Sequence, residues 1–283
     1  MDLSVIIVNY NTKELLKRCL KSVMASHTDF GFETIVSDNG STDGSQALVK
    51  EEFPEVVLLE NGANLGFSKA NNIAIRRATG RYLLLLNSDT QIQSDTLTLC
   101  IKRMNQDDSI GILGCKVLLP DGKLDPACRR KFPNPRNSFL RLFGLEKFSD
   151  YNINAPIDKE GEVDSVTGAF LMIRKTVVDQ IGLLDEEFFM YGEDLDWCWR
   201  AKAAGFKVLY YHGAQITHFK YGSSQKKPFF IIRSAHEAMK IFYRKHYAAR
   251  YSWIFNQLVF LGISFRKYLV MLINIFRTKK VVH

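Results

Sequence analysis

Tyr82-Leu83-Leu84-Leu85-Leu86-Asn87-Ser88-Asp89-Thr90 is an apolar run that ends abruptly in small polar side chains and one carboxylate. Five consecutive apolar residues are too few for a helix. With Gly80 before them and Asn-Ser-Asp-Thr after them, they predict a strand buried on both faces of a parallel sheet. Open α/β sheets place ligands at the C-terminal ends of such strands. A carboxylate fixed there, with a polar side chain two residues before it, can hold a divalent cation and the phosphates it carries. Asp89 is therefore the first candidate metal ligand.

The same pattern recurs upstream. Leu3 to Val8 predicts a buried strand that stops at Asn9-Tyr10-Asn11-Thr12, with Thr12 capping a helix from Lys13 to about Ser26. A strand from Glu33 to Ser37 ends in Asp38-Asn39-Gly40-Ser41-Thr42-Asp43-Gly44-Ser45 before a helix from Gln46 to Glu52, and a strand from Val56 to Glu60 ends in Asn61-Gly62-Ala63-Asn64-Leu65-Gly66 before a helix from Phe67 to Ala78. Alternation at this spacing builds a parallel, doubly wound sheet whose right-handed crossovers bring Asn9, Asp38, Asn64 and Asp89 to one crevice. Any one polar loop can be a plain turn or helix cap; four in succession point to a site. No G-x-x-x-x-G-K-[ST] or G-x-G-x-x-G follows the first strand, so a nucleotide would be held by side chains and a metal.

Downstream, a helix from Ser94 to about Asn105 and a strand from Ile110 to Leu119 precede an irregular stretch, Asp125 to Glu162, that carries Arg129, Arg130 and Lys131. Such an insertion reads as an acceptor-binding or lid loop, or as a surface excursion. Val163 to Arg174 predicts a strand with Gly168 at a close approach, and Thr176 to Ile181 a short helix. Then Tyr191-Gly192-Glu193-Asp194-Leu195-Asp196-Trp197-Cys198-Trp199-Arg200 opens a helix with three acids in four residues. Acids at a helix start complement its dipole, and Asp196 with Arg200 forms an i,i+4 pair. The crowding of Tyr191, Trp197 and Trp199 would desolvate a carboxylate and raise its basicity, which makes Glu193 or Asp194 a candidate general base. Lys207 to Tyr211 predicts a further strand. His218 ends another apolar segment; a metal at Asp89 needs further ligands, and imidazole suits Mn²⁺ better than Mg²⁺. His212 is the weaker candidate.

Composition is that of a globular chain: 46% hydrophobic and 24% charged residues over 283 positions. Charge is uneven. Lys226 to His283 holds 12 Lys or Arg against the single acid Glu237, a balance of 12 − 1 = +11 out of the net +8, so the first 225 residues carry −3. The tail is also dense in aromatic and aliphatic residues, which suits an anionic membrane surface and argues against nucleic acid. A helix from Pro228 to about Tyr247 is followed by Trp253 to Phe276, whose charge-free runs of 13 and 9 residues fall short of the roughly 20 that a span needs. Asn256, Arg266, Lys267, Asn274 and Arg277 share one side of a helical wheel. The segment reads as interfacial, with packing on the catalytic domain or homo-oligomer formation as the competing reading. Five cysteines without metal-ligand spacing, and a first strand too short and too acidic at its start for a secretory signal, lead to the expectation of a cytoplasmic protein, peripheral at the inner face of the membrane.

Val8-Asn9-Tyr10-Asn11, Asp38 to Ser45, Asn64-Leu65-Gly66-Phe67 with Asn71-Asn72, Asn87-Ser88-Asp89, Tyr191-Gly192-Glu193-Asp194 and His218 together resemble the family-2 glycosyltransferases of the GT-A fold, in particular bacterial rhamnosyltransferase-type members, over about the first 225 residues. The resemblance implies an α/β Rossmann-like doubly wound mixed sheet with helices on both faces, a glycosyltransferase domain over 1–225 and a helical basic and apolar extension over 226–283. It implies that Val8, Asn9, Tyr10, Asn11, Asp38 and Asn39 surround the nucleoside, that Asn64, Gly66, Phe67 and Asn71 lie against the diphosphate or sugar, and that Asn87, Ser88 and Asp89 occupy the family's D-x-D position with Asn in place of the first acid. Asp89 and His218 would hold Mg²⁺ or Mn²⁺, and Asp194, with Glu193 beside it, would be the base of an inverting transfer. The donor would be a nucleoside-diphosphate sugar, dTDP-rhamnose first and a UDP-hexose second, and the acceptor a glycan or polyprenyl-linked glycan. A sugar nucleotidyltransferase, or a non-catalytic glycan- or lipid-binding module on this fold, are the rival readings.

Overall fold

A computed structural model describes residues 1–142, 145, 148–153, 155–220 and 228–276. Its first half follows the predicted alternation: β1 (Leu3–Asn9), α1 (Lys13–Met24), β2 (Phe32–Asp38), α2 (Ser45–Glu52), β3 (Val57–Glu60), α3 (Phe67–Arg77) and β4 (Tyr82–Asn87). The four strands pair in parallel in the order β3, β2, β1, β4. Their register sets Asn9 opposite Asp38 and Val8 opposite Asn87, so the polar residues that end each apolar run come level at one edge. In β4, Tyr82 to Leu86 are all buried. Because successive side chains of a strand point to opposite faces, both faces of the sheet are covered there. Each such side chain contributes about 1.5–3 kcal/mol of burial, which makes this strand the spine of the core.

The second half is β5 (Thr90–Ile92), α4 (Thr96–Asn105), β6 (Ile110–Leu118), α5 (Pro135–Leu142), β7 (Gly161–Glu162), β8 (Phe170–Arg174), α6 (Lys175–Ile181), α7 (Glu193–Ala203), β9 (Lys207–His218), α8 (Pro228–His246) and α9 (Trp253–Phe276). Here the sheet stops being parallel. β8 lies antiparallel between β4 and β6, β9 runs parallel to β6, and β5 pairs antiparallel with the end of β9, setting Thr90 opposite His218. The sheet is mixed. β4 thus has one parallel and one antiparallel neighbour, where its apolar run alone predicted a parallel setting.

Three local expectations are corrected. The stretch read as one strand from Val163 to Arg174 is a strand only over Phe170–Arg174; before it the backbone turns, because Gly168 N donates to Asp194 Oδ2 (3.0 Å) instead of joining a ladder. The two segments around Tyr211 and His218 are one strand with a bulge, three residues longer than β6 between Tyr211 and Gln215. The irregular stretch after Asp125 contains α5, and Arg130 bridges to Asn152 and Ser165.

α8 packs behind α7. His246 Nε2 stands 2.8 Å from Asp196 Oδ1, while Arg200 Nε donates to Asp196 Oδ2 at 2.8 Å. Trp199 packs against Phe132, Phe242 and His246. On α8 itself Ile231, Ile232, Ala238 and Phe242 are buried, while Phe229 and Met239 are exposed. The expected boundary between residues 225 and 226 lies outside the described residues, as does Arg277.

Candidate active site

At the edge where β1, β2 and β4 end, the polar side chains are bound to one another. Asp38 is buried; its Oδ1 accepts from Ser41 N (2.8 Å) and Gln46 Nε2 (2.7 Å), and its Oδ2 from Asn9 Nδ2 (2.9 Å). Thr12 Oγ1 donates to Asn9 Oδ1 (2.6 Å) and lies 3.0 Å from Ser88 Oγ, joining the first strand end to the fourth. Thr12 therefore holds Asn9 and not a helix cap: it makes no side-chain bond to the start of α1. Asn11, at a positive φ of 53°, accepts from Thr42 N (2.8 Å). Val8 is paired in the ladder between Ser37 and Asn87, and Tyr10 is half-buried just beyond it.

The Asn64 loop closes the other side. Asn39 Nδ2 donates to Gly66 O (3.1 Å), Asn61 Nδ2 to Asn39 Oδ1 (3.0 Å), and Asn64 Oδ1 accepts from Gly66 N (3.1 Å). Gly66 has φ +88°, and a Cβ there would meet Phe189 O at 2.6 Å. Only glycine allows this approach, and the approach matters: Phe67 N donates to Phe189 O (2.6 Å) and Ser68 Oγ to Phe188 O (2.6 Å). Asn72, paired twice with Leu184, anchors the same loop to α3. Asn71 is buried and donates to Phe67 O within the helix. The Asn64 loop and the segment leading into Tyr191-Gly192-Glu193-Asp194 are thus locked to each other.

Asp89 and His218 meet because the chain turns from β4 directly into β5, whose partner is the end of β9. His218 Nε2 is 3.2 Å from Asp89 Oδ1, and Phe219 N donates to Asp89 O at 2.9 Å. Behind the imidazole, Asp125 Oδ2 lies 3.7 Å from His218 Nδ1 and 2.9 Å from Lys220 Nζ. Burial opposes a charge on His218, but Asp125 and Asp89 outweigh it and the ring is raised to about 9. Asp125 is held well below the usual carboxylate range: burial works against its charge, and His218 and Lys220 more than compensate.

These two donors fit a hard divalent cation. Ligands at a right angle on one ion, with bonds of about 2.1 Å, stand about 3 Å apart, close to the observed separation. Asp125 sits where a carboxylate commonly orients a ligating histidine. Among the described residues no group of three His, Cys, Asp or Glu forms a ready cage, so the remaining positions would fall to diphosphate oxygens and water. His212 lies in the β9 bulge beside Tyr211, away from this pair.

Glu193 and Asp194 are both buried and differ in what faces them. Asp194 Oδ2 accepts from Arg130 Nη2 (2.7 Å) and Gly168 N (3.0 Å), and Oδ1 from Leu195 N (2.8 Å). Among the described residues no ion pair is made to Glu193, and its Oε2 is buried without a hydrogen-bond partner. Burial first, and the Asp194 charge second, push the Glu193 carboxyl up to about 8. The aromatics expected to desolvate these acids divide. Trp197 Nε1 donates to Gly182 O (3.0 Å) and Trp199 turns toward α8. Tyr191 stays within electrostatic reach of both centres: burial, Glu193 and Asp89 push its phenol up to about 12. Tyr191 and Gly192 both have positive φ, 72° and 85°.

A short backbone path joins the two centres. Asn87 N donates to Ala169 O (3.1 Å), and the neighbouring Gly168 binds Asp194. A methyl group on Gly168 would stand 3.6 Å from the Phe67 ring and 3.7 Å from Glu193 Oε1. Hydrogen bonds therefore link the strand ends, the Asn64 loop and Asp194, with Asp89 and His218 paired beside them. Arg130 and Asp125 were missed as members: the basic cluster Arg129-Arg130-Lys131 signalled cations, and nothing in its spacing named their partner.

The chain is 27% identical to N-acetylglucosaminyl-diphospho-decaprenol L-rhamnosyltransferase of Mycobacterium tuberculosis over 265 residues, covering 85% of this chain and 83% of that protein. It is 27% identical to rhamnosyltransferase WbbL of Escherichia coli over 224 residues, covering 76% and 82%. Among solved structures, S. aureus TarS 1-349 with UDP-GlcNAc superposes with a TM-score of 0.62 at 18% identity (95% of this chain, 73% of that one). The mannosyltransferase PcManGT of Pyrobaculum calidifontis, with GDP-Man and Mn²⁺, gives 0.61 at 17% (98% and 76%). Residues 4–182, more than half of the chain, match the family model Glycosyl transferase family 2; with the mixed sheet and the crevice at its strand ends, the chain belongs to the family-2 glycosyltransferases and has the GT-A fold.

Proposed function

We propose that this glycosyltransferase works by inversion. It would move a sugar from a nucleoside diphosphate, dTDP-rhamnose in the first place and a UDP-hexose in the second, to a hydroxyl of a lipid-linked glycan in cell-surface polysaccharide synthesis. The observation that carries this reading is the meeting of Asp89 with His218 and of Asp194 with Glu193 around one crevice, joined through Asn87, Ala169 and Gly168. The names of the two rhamnosyltransferase relatives support the donor, and that of the first supports a polyprenyl-diphosphate acceptor.

In this reading Val8, Asn9, Tyr10, Asn11, Asp38 and Asn39 shape the nucleoside end. Asp38 acts by fixing the loop, since its oxygens are already occupied by amides. Asn64, Gly66, Phe67 and Asn71 bound the diphosphate and sugar, with Asn87 and Ser88 beneath them. Asp89 and His218 hold Mg²⁺ or Mn²⁺, which would neutralise charge on the departing diphosphate. Asp194 takes the acceptor proton as that oxygen attacks the anomeric carbon from the face opposite the diphosphate, so no sugar–enzyme bond forms. Arg130 and Gly168 N hold its carboxylate aimed; Glu193, held neutral near pH 7 by its raised pKa, adds no second negative charge beside it. Residues 1–225 form the catalytic domain and 226–283 the extension, which keeps the enzyme at the cytoplasmic face of the membrane.

The test is a screen of nucleotide sugars for donor hydrolysis and for protection against thermal unfolding, with and without Mn²⁺, in wild type and Asp194→Asn. The expected result is metal-dependent protection in both and turnover in wild type alone. Substantial transfer by Asp194→Asn would overturn the assignment of the base.

A further inference from the structure

The polar stripe of α9 faces inward. Asn256 Oδ1 accepts from Tyr243 Oη of α8 (2.6 Å), and its amide donates to Ala248 O (2.9 Å). Lys267 Nζ lies 3.4 Å from Glu237 Oε1 of α8. The charges of Arg266 and Lys267 lie near enough to His236 to add to the burial that lowers its imidazole. Asn274 is the single buried residue of the helix. The opposite side carries Ile254, Leu258, Leu261, Phe265, Leu272 and Phe276, all between 52% and 81% exposed. They recur at intervals of three, four and seven, so they form one continuous stripe. Nothing among the described residues covers it. This is the reverse of the orientation expected for a helix that packs its apolar side on a soluble domain.

We infer that this stripe is a membrane-docking surface: α9 lies in the plane of an anionic bilayer, its apolar face in the acyl boundary and its polar face clamped to α8, which stands between it and the catalytic domain. This deepens the peripheral location in the proposed function and does not depend on which sugar is transferred. α9 is one helix of 24 residues, long and apolar enough to cross a membrane. Its packing argues against crossing. α8 runs beside it from the Tyr243–Asn256 contact to the Glu237–Lys267 contact, and sinking α9 through the bilayer would drag the charged residues of α8 into hydrocarbon with it. A second copy of the chain is disfavoured by charge. Residues 228–276 hold seven Lys or Arg against Glu237 alone, 7 − 1 = +6; Arg244 and Lys245 pair with Glu187 and Asp185 outside the region, which leaves 6 − 2 = +4, so two such regions face to face would repel, whereas an anionic surface attracts both.

The test uses the full chain. Vesicles of phosphatidylglycerol and phosphatidylethanolamine should sediment wild type at least tenfold better than phosphatidylcholine vesicles, and Leu258→Ser/Leu261→Ser/Phe265→Ser should lose at least tenfold of that binding. A fluorophore on cysteine introduced singly at Leu258, Phe265 or Leu272 reads depth; the five native cysteines are buried. The outer two positions are 14 residues apart, about 21 Å along a helix. Equal quenching at all three by shallow lipid nitroxides is the expected result. A depth gradient along the three would overturn the inference in favour of a span. Vesicle binding unchanged in the triple variant would remove the stripe as the docking surface. No vesicle binding, with or without a dimer that the triple variant dissociates, would refute it as well. Thermal protection of the same samples by nucleotide sugars reports the donor site separately, so failure of the docking surface leaves the catalytic reading standing.

Discussion

Replacing Arg130 by methionine should cost both stability and turnover, and by different routes. Arg130 and Asp194 pair at 2.7 Å with side chains only 12% exposed each. Removing one member of such a pair leaves the other charge buried and uncompensated, at about 3–5 kcal/mol. Arg130 Nη2 also donates to Val166 O (2.8 Å), a bond lost in the same change. Asp194→Asn strands Arg130 in the same way, whereas the double variant Arg130→Met/Asp194→Asn strands neither. The double variant should therefore lose less than the sum of the single losses, with a coupling of about 1–3 kcal/mol by urea unfolding followed through tryptophan fluorescence. In catalysis, Asp194 of Arg130→Met keeps only Gly168 N and Leu195 N. A carboxylate free to shift by an ångström lowers kcat by about 100-fold, while KM for the donor stays near wild type because the proposed donor site is built from the loops after β1 to β4. Additive single losses, within about 0.5 kcal/mol, would refute the energetic reasoning. A kcat like that of wild type would refute the positioning role.

Glu193→Gln should flatten a pH dependence. The carboxyl is raised from 4.5 to about 8, so between those values the folded state keeps a proton that the unfolded chain has released. The stability this contributes is whole below about 4.5 and is lost as pH rises through 8, amounting to a few kcal/mol; wild-type Tm should fall from pH 5 to 8.5 and the glutamine variant's should not follow it. Asp125→Asn should weaken Mn²⁺ binding by about 10–100-fold, measured by titration calorimetry, by loosening His218; an unchanged affinity would remove Asp125 as its support. Gly66→Ala should destabilise by about 2–4 kcal/mol in urea, from the left-handed backbone and the overlap with Phe189 O, and should weaken nucleotide-sugar protection along with it.

Much of the crevice was legible before any coordinates. The apolar run Tyr82 to Leu86 announced its strand because burial on both faces leaves no polar position in the run. The loops at Asn9, Asp38 and Asn64 announced themselves because strand ends and turns are governed by local chemistry. Other features were hidden for physical reasons. Thr12 looked like a helix cap, but its hydroxyl bonds Asn9 and Ser88, a choice made by strands that only fold into neighbours. Val163 to Arg174 has a strand's composition throughout, and the bond from Gly168 to Asp194 bends it. The aromatic crowd after Tyr191 is real in sequence, yet Trp197, on the same face of α7 as Glu193, gives its Nε1–H to Gly182 O, and Trp199 packs against α8.

The sequence by itself determined the strand and helix alternation, the polar strand ends, the acid pair and the basic, apolar tail, since each is a property of residues near one another along the chain. Only the tertiary structure decided which charges meet. Arg130 reaches Asp194 across 64 positions, and Asp89 reaches His218 because β5 pairs with the end of β9. Asp194 is thereby paired with Arg130, while Glu193, one residue away, makes no ion pair among the described residues. The tail was decided in the same way: a helical wheel fixes which residues of α9 share a side, but contact with Tyr243 and Glu237 of α8 is what turns the polar side in and leaves the apolar side bare. Partner choice over long separations depends on chain closure and packing, which no local pattern encodes.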